Sequence, residues 1–161
     1  NEYLNNYQKS IPDEHIFFCE NSAVNAILSY FSGQARTFGI TYTVSASIPK
    51  HISISETDLS ILFGNLLENA IDACNAQSGE DKKIIVRAKT DDHSLCVTID
   101  NTFSGSLDID QEGHFVSSKH EGLGLGTESI KSIAEKYGGV CQFEANNGMF
   151  YASVMCFKDH A

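Results

Sequence analysis

Residues 56–76 carry apolar side chains almost all the way round a helix and omit them from one narrow sector. A helix advances about 100° per residue, so Asn65, Asn69 and Asp72 fall within an arc of roughly 60°. Leu59, Leu62, Phe63, Leu66, Leu67, Ala70, Ile71 and Cys74 cover most of the rest, which predicts a helix packed on a layered core. Asn and Asp compete for backbone hydrogen bonds, so clustering them in mid-helix destabilises it more than Lys or Glu would. Taken alone, the pattern also fits a solvated helix face that happens to use Asn. Three further segments shift the balance toward a ligand.

At 161 residues the chain suits one domain whose core needs neither disulfide nor metal. Its 42% hydrophobic and 20% charged content is that of a globular protein, and no apolar run approaches the ~20 residues that span a bilayer. A net charge of −10 without gathered Lys and Arg argues against a nucleic-acid or anionic-membrane surface, so any phosphate must be held locally. The five cysteines, Cys19, Cys74, Cys96, Cys141 and Cys156, are odd in number and lie mostly within apolar runs. That is the pattern of core thiols in a reducing compartment. No secretory signal is present and the chain starts at Asn1 in a polar stretch, which predicts a piece cut from a longer protein.

Val24, Ile27, Leu28, Phe31, Ala35 and Phe38 predict a first helix over 20–38, with Gly39 as the residue that closes it. Ile40, Tyr42, Val44 and Ala46 alternate, Pro49 interrupts, and Ile52 and Ile54 alternate again, predicting two strands before the central helix. Ser55 with Asp58 three residues on is a capping pattern for that helix. A hairpin follows, Ile84 to Ala88 and Leu95 to Asn101, turned by Asp91-Asp92-His93. Residues 102–121 show no periodicity, and a loop this long in a domain is usually functional, so a lid is expected there. Ile130, Ile133, Ala134 and Tyr137 predict a helix opening at Thr127 and stopped by Gly138-Gly139. A second hairpin turns at Asn147-Gly148. This order predicts an α/β (α+β) two-layer sandwich, with a mixed, largely antiparallel sheet and about three helices on one face. The amide sector would then look away from the sheet.

Asn101 ends a strand whose inward members are Val97 and Ile99, so period-two alternation points its amide into the apolar layer. An amide at the floor of an apolar slot suits a flat heterocycle, although a strand-terminal Asn that starts a turn has the same signature. Gly122-Leu123-Gly124-Leu125-Gly126 runs into a helix and sets flexible backbone N–H groups at its positive end, a place that suits phosphate, although glycines that merely let a loop turn leave the same pattern. A P-loop is excluded, since no Gly-x-x-x-x-Gly-Lys-Ser/Thr run exists. A dinucleotide fold has Glu144 near the offset of a ribose-binding acid, but the segment before Gly122 is not a buried strand and Thr127 stands where Gly or Ala is required.

Over residues 20–157 these segments together resemble the ATP-binding domain shared by gyrase B, the ninety-kilodalton heat-shock chaperone, histidine kinases and mismatch-repair ATPases. Asn65-x-x-x-Asn69 resembles the N box, and Asn101-Thr102-Phe103-Ser104-Gly105 the G1 box. Phe115 with Ser118-Lys119 resembles the F-box region, and Gly122-Leu123-Gly124-Leu125 the G2 box. The resemblance implies a Bergerat-type fold that binds ATP and Mg2+. Asn69 would hold the metal through its side-chain oxygen, with Asn65 as its catalytic partner, and Asn65 and Asp72 would line the phosphate side. Asn101 would read adenine, and Gly122 and Gly124 would cradle phosphates, with Gly105, Ser118, Lys119, Leu123 and Leu125 completing the site. The G1 box usually reads Asp-x-Gly-x-Gly, whereas this chain has Asn101 and Phe103. A neutral amide accepts a weaker hydrogen bond than a carboxylate, and Phe restricts a backbone that Gly leaves free. The same Asn, with Ser118-Lys119 ahead of Gly-Leu-Gly-Leu, is similar to the peptide-sensing membrane kinases of Gram-positive bacteria, the group of the staphylococcal agr quorum sensor.

Gyrase-type ATPases place a Glu four residues before the metal-binding Asn, where it activates water, and here that position is Asn65. Glu68 points roughly 100° away from Asn69 and substitutes poorly. ATP should therefore stay intact until an external nucleophile arrives, with positioning and charge neutralisation supplying catalysis. None of the six histidines sits in a sequence like a His-Asp/Glu phosphoacceptor box. The resemblance then implies the catalytic half of a two-component sensor kinase. Residues 1–19 would be linker and 20–161 the ATP-binding unit with its lid at 102–121. Its partners would be separate phosphoacceptor and dimerisation helices and a response regulator, not nucleic acid. Its place would be the cytoplasmic side of a membrane protein, and the chain alone a monomer or weak dimer. Other readings are an anti-sigma-type serine kinase, a degenerate module that binds a partner and no nucleotide, and a dinucleotide enzyme.

Overall fold

Burial alternates along the strands and divides the sheet into a covered face and an open one. The computed structural model describes residues 16–79, 81–104 and 125–158. Five strands among these residues, β1 (Thr41–Ser47), β2 (Lys83–Thr90), β3 (Ser94–Thr102), β4 (Val140–Asn146) and β5 (Met149–Phe157), lie in the order β1-β2-β3-β5-β4. Ile84, Val86 and Ala88, Leu95, Val97 and Ile99, and Ala152, Val154 and Cys156 are buried on the covered face, as period two requires. Among the described residues three helices, α1 (Ser22–Thr37), α2 (Glu56–Ala76) and α3 (Leu125–Lys136), lie over β1, the sheet centre and β4–β5 respectively. Only β1 and β2 run parallel, and the other neighbours are antiparallel. A parallel pair needs a long crossover, and the stretch carrying α2 supplies it. The mixed, largely antiparallel two-layer sandwich expected from the element order is what forms.

Local chemistry sets the boundaries. Asn21 caps α1, its side chain accepting from Val24 N–H at 3.2 Å. Gly39, at φ 67°, closes α1 with Gly39 N–H on Arg36 C=O and Ile40 N–H on Ala35 C=O at 2.8 Å. Ser55 caps α2, which runs over the expected 56–76. Asn147 and Gly148 both have positive φ, 50° and 76°, the tight hairpin turn their dipeptide favours.

The expected second strand over 52–54 does not form. Three alternating residues between Pro49 and the Ser55 cap are too few to build a ladder. Instead this irregular segment plugs the core with Ile48 and Ile54, both 2% exposed, and Asn21 N–H bonds Ile48 C=O. The third helix opens at Leu125 rather than Thr127.

Candidate functional site

The apolar arc of α2 is buried as expected, from Leu59 to Cys74, whereas Asn65 and Asp72 are half-buried and Asn69 is exposed. The polar sector therefore looks away from the sheet. Asn65 donates from Nδ2 to Ile61 C=O at 2.8 Å, a bond to the preceding turn that leaves Oδ1 directed outward. At the opposite side stands the first turn of α3. A Cβ on Gly126 would lie 3.1 Å from Asn65 Oδ1 and 3.4 Å from Asn69 Oδ1, so the two amide oxygens converge on a bare α-carbon at a helix N-terminal end. Gly126 closes the glycine run legible in the sequence, but nothing in that run gives it a role of its own. What marks it is the contact, which no local pattern encodes.

Asp72 stands on the other flank of the arc. With Glu68 and Asn75 it lines a groove against Tyr30 and Phe31 of α1 and Phe38 just beyond it, and Glu68 stands about 60° round α2 from Asn65 and about 100° from Asn69. The three atoms nearest the place of a Gly126 Cβ all belong to Asn65 and Asn69.

Asn101 is 2% exposed on the covered side of β3, between Ile84 of β2 and Phe150 of β5 in register. Its Nδ2 donates to Thr102 C=O at 3.0 Å. The strand end is tied to the last turns of α2. Cys74 Sγ lies 3.6 Å from Thr102 C=O, and Ser104 Oγ donates to Ala76 C=O at 3.4 Å. Burial pushes the Cys74 thiol pKa up, so this cysteine is packing rather than a nucleophile. Cys74 is about 7.5 Å along the helix axis from Asn69, so α2 carries the amide pair and clamps the end of the Asn101 strand. Phe103, expected to restrict the backbone, sits without positive φ and donates its N–H to Gly148 C=O at 3.1 Å. The backbone there has no need of glycine. Gly105, Phe115, Ser118, Lys119, Gly122, Leu123 and Gly124, with most of the loop 102–121, lie outside the described residues, as does the side chain of Leu125.

A second cluster lies where α2 begins and α3 ends. Asp58, 8% exposed, accepts from Tyr137 OH at 2.5 Å and from Lys136 Nζ at 2.8 Å, while Ser55 N–H donates to Tyr137 OH at 3.3 Å. The Lys136 ammonium and then the Tyr137 hydroxyl hold the Asp58 carboxyl below the usual carboxylate range, and Lys136 is raised in turn by Asp58. The sequence announced Ser55 and Asp58 as a cap but gave no sign of Tyr137.

Among the described residues no group of three or more His, Cys, Asp or Glu could hold a metal. The side-chain oxygens of Asn65 and Asn69 are hard donors in small number, a set that fits Mg2+, which takes few protein ligands and completes its shell with water and phosphate.

The fold is shared with solved catalytic domains of histidine kinases. The catalytic domain of histidine kinase ThkA, in a nucleotide-free form, matches with a TM-score of 0.66 at 20% identity over 86% of this chain and 91% of that one. ThkA in complex with response regulator protein TrrA matches with a TM-score of 0.63 at 20% identity, over 86% of this chain and 40% of that one. The family model described as GHKL domain matches residues 54–156, and the chain belongs to that family. A probable C4-dicarboxylate sensor kinase of Bacillus subtilis (strain 168) is 25% identical over 138 residues, 80% of this chain. The chain spans a quarter of that relative's length.

Proposed function

We propose that this chain binds Mg·ATP and donates the γ-phosphate to a histidine on a separate phosphoacceptor helix of a two-component sensor kinase. The observation that carries the proposal is the convergence of the Asn65 and Asn69 oxygens on Gly126, with an amide, Asn65, at the position four residues before Asn69. Asn69 would hold Mg2+ with Asn65 next to it, and the ion, when bound, offsets charge on the β- and γ-phosphates. The N-terminal end of α3, with Gly122 and Gly124 before it, attracts those phosphates through its unpaired N–H groups. Asn101 accepts adenine at the floor of the slot, and Asp72 borders the phosphate side. Neither Asn65 nor Glu68 can deprotonate a water at that place, so bound ATP waits for a protein nucleophile.

Residues 20–161 form the catalytic unit in this proposal, residues 1–19 lead from the phosphoacceptor helices, and the unit works on the cytoplasmic side of a membrane sensor. The ThkA complex supports a response regulator as the downstream partner. Asn101 and the Ser118-Lys119 pair favour the peptide-sensing quorum group, while the Bacillus relative offers a dicarboxylate sensor as the other subtype.

Calorimetry with Mg·ATP on the wild type and Asn69→Ala, followed by incubation with labelled ATP and a supplied phosphoacceptor domain, tests the proposal. The wild type should bind, the variant should lose about tenfold or more in Mg2+-dependent affinity, and label should reach the supplied domain only. Absence of binding by the wild type, or stable label on the isolated chain, would refute it.

A further inference from the structure

In a capping box the N3 carboxylate reaches back to the N-cap N–H. In α2 a third residue is inserted between them. Ser55 Oγ accepts from Asp58 N–H at 3.1 Å in the usual way, but the reciprocal bond runs through the Tyr137 hydroxyl, which accepts from Ser55 N–H and donates to Asp58. Tyr137 directly follows α3 and is 6% exposed, so the C-terminal end of α3 closes the N-terminal end of α2. Lys136, in the last turn of α3, adds an ion pair to Asp58 in the first turn of α2, and both charges also suit their helix ends.

The other end of α3 is the functional one. Gly126 faces Asn65 and Asn69, whereas Lys136 and Tyr137 face Asp58, so the two helices run antiparallel. Gly126 and Lys136 are ten residues apart, about 15 Å of rigid helix. A displacement at one end of such a rod is carried to the other.

We propose that Asp58 and Tyr137 are positioning residues for the nucleotide site, a latch that fixes where the N-terminal end of α3 stands over Asn65 and Asn69. The inference rests on the kinase reading above, because it takes that end of α3 as the phosphate-binding end. Neither residue touches the nucleotide. The latch acts by setting one register of α3 against α2, so that the phosphates meet N–H donors and amide oxygens already at their working separation. Without it the seat of α3 on α2 rests largely on buried apolar side chains such as Ile130, Ile133 and Ala134, which define a layer but not a register, while the tie of Tyr137 C=O to Phe157 N–H fixes the end of α3 to the sheet and not to α2.

Tyr137→Phe and Asp58→Asn test this, with Val24→Ala as a control. Val24 is fully buried in α1, which packs on α2 from the side opposite α3, so the control loses stability without loosening the latch. Two quantities are read on all four proteins at a temperature where each is folded: Mg·ATP affinity, and amide hydrogen exchange over residues 126–130. Misplacement of a binding group by ~1 Å can lose up to about a hundredfold, so affinity should fall roughly tenfold in Tyr137→Phe, less in Asp58→Asn, and by less than about twofold in the control. Exchange over 126–130 should rise in the latch variants only. Wild-type affinity in Tyr137→Phe, or an equal loss in Val24→Ala, overturns the latch. If the wild type binds no Mg·ATP, the kinase reading fails and exchange alone decides. Faster exchange confined to the latch variants sustains the fixed register, and unchanged exchange removes it.

Discussion

Two glycines bracket α3 for opposite reasons. Gly126, at its start, has side-chain atoms of Asn65 and Asn69 as its nearest neighbours, the closest 3.1 Å from where a Cβ would stand. Gly139, beyond its end, meets backbone: a Cβ there would fall 1.7 Å from Met155 O and 2.7 Å from the carbonyl carbon. Side-chain amides can swing aside and a strand of the sheet cannot. The end of α3 that joins the sheet is therefore built to one geometry. There Gly138 takes φ 67°, Gly139 N–H bonds Ala134 C=O at 2.8 Å, and Phe157 N–H bonds Tyr137 C=O at 3.0 Å. The end over the amide pair is held by polar groups that can rearrange around a ligand.

The largest effect that would break this contrast belongs to Gly139→Ala. Its methyl group cannot be placed unless β5 or the close of α3 moves, so unfolding free energy should drop by at least about 3 kcal/mol, read from the urea midpoint. A drop under about 1 kcal/mol would mean that this end is as adjustable as the other. Gly126→Ala sharpens the same comparison from the other side. The added methyl presses on two movable amides, so stability should change by less than about 1 kcal/mol. Mg·ATP affinity should nevertheless fall about tenfold, because both oxygens are turned from the place where Mg2+ would sit. A variant that loses stability and keeps affinity would reverse the roles given to the two ends.

Why one end was readable in the sequence and the other was not follows from distance along the chain. Asn65 and Asn69 belong to one helix, and the amphipathic period that buries Leu62, Leu66 and Ala70 also exposes them, so 56–76 and its polar sector could be read locally. The Asn147-Gly148 turn and the caps at Asn21, Gly39 and Ser55 are equally local. Asp58 and Tyr137 are 79 residues apart, and a capping box looks the same whether its carboxylate turns to its own helix or to another. The 52–54 segment misled for a related reason, since alternation marks an extended chain and only a neighbouring strand makes it a ladder. The convergence on Gly126 needed two helices in place, and no spacing within either one encodes it. The roles of Gly105, Ser118, Lys119, Gly122 and Gly124 rest on motif resemblance alone.

The smallest effect concerns charge at the latch. Lys136 and Tyr137 stabilise the ionised Asp58, so its pKa is lower in the folded chain than unfolded. A group depressed in this way contributes stability that is full above its unfolded pKa, near 3.8, and that is lost as pH falls through the lower folded value. Lys136 is raised by the same pairing. Its contribution is full below the ordinary lysine value of about 10.4 and fades as pH rises through the higher folded value, so both charges act together across neutral pH. Asp58→Asn removes the acid-side loss. Wild type and variant should differ in stability at pH 7 and draw together on acidification below about pH 4, with the wild type showing the steeper decline. The amide introduced by Asp58→Asn still offers the Tyr137 hydroxyl an oxygen to bond, so the register of α3 should loosen less than in Tyr137→Phe. Parallel acid profiles in the two proteins would show that Asp58 holds α3 by its shape and hydrogen bonds, with its charge adding nothing.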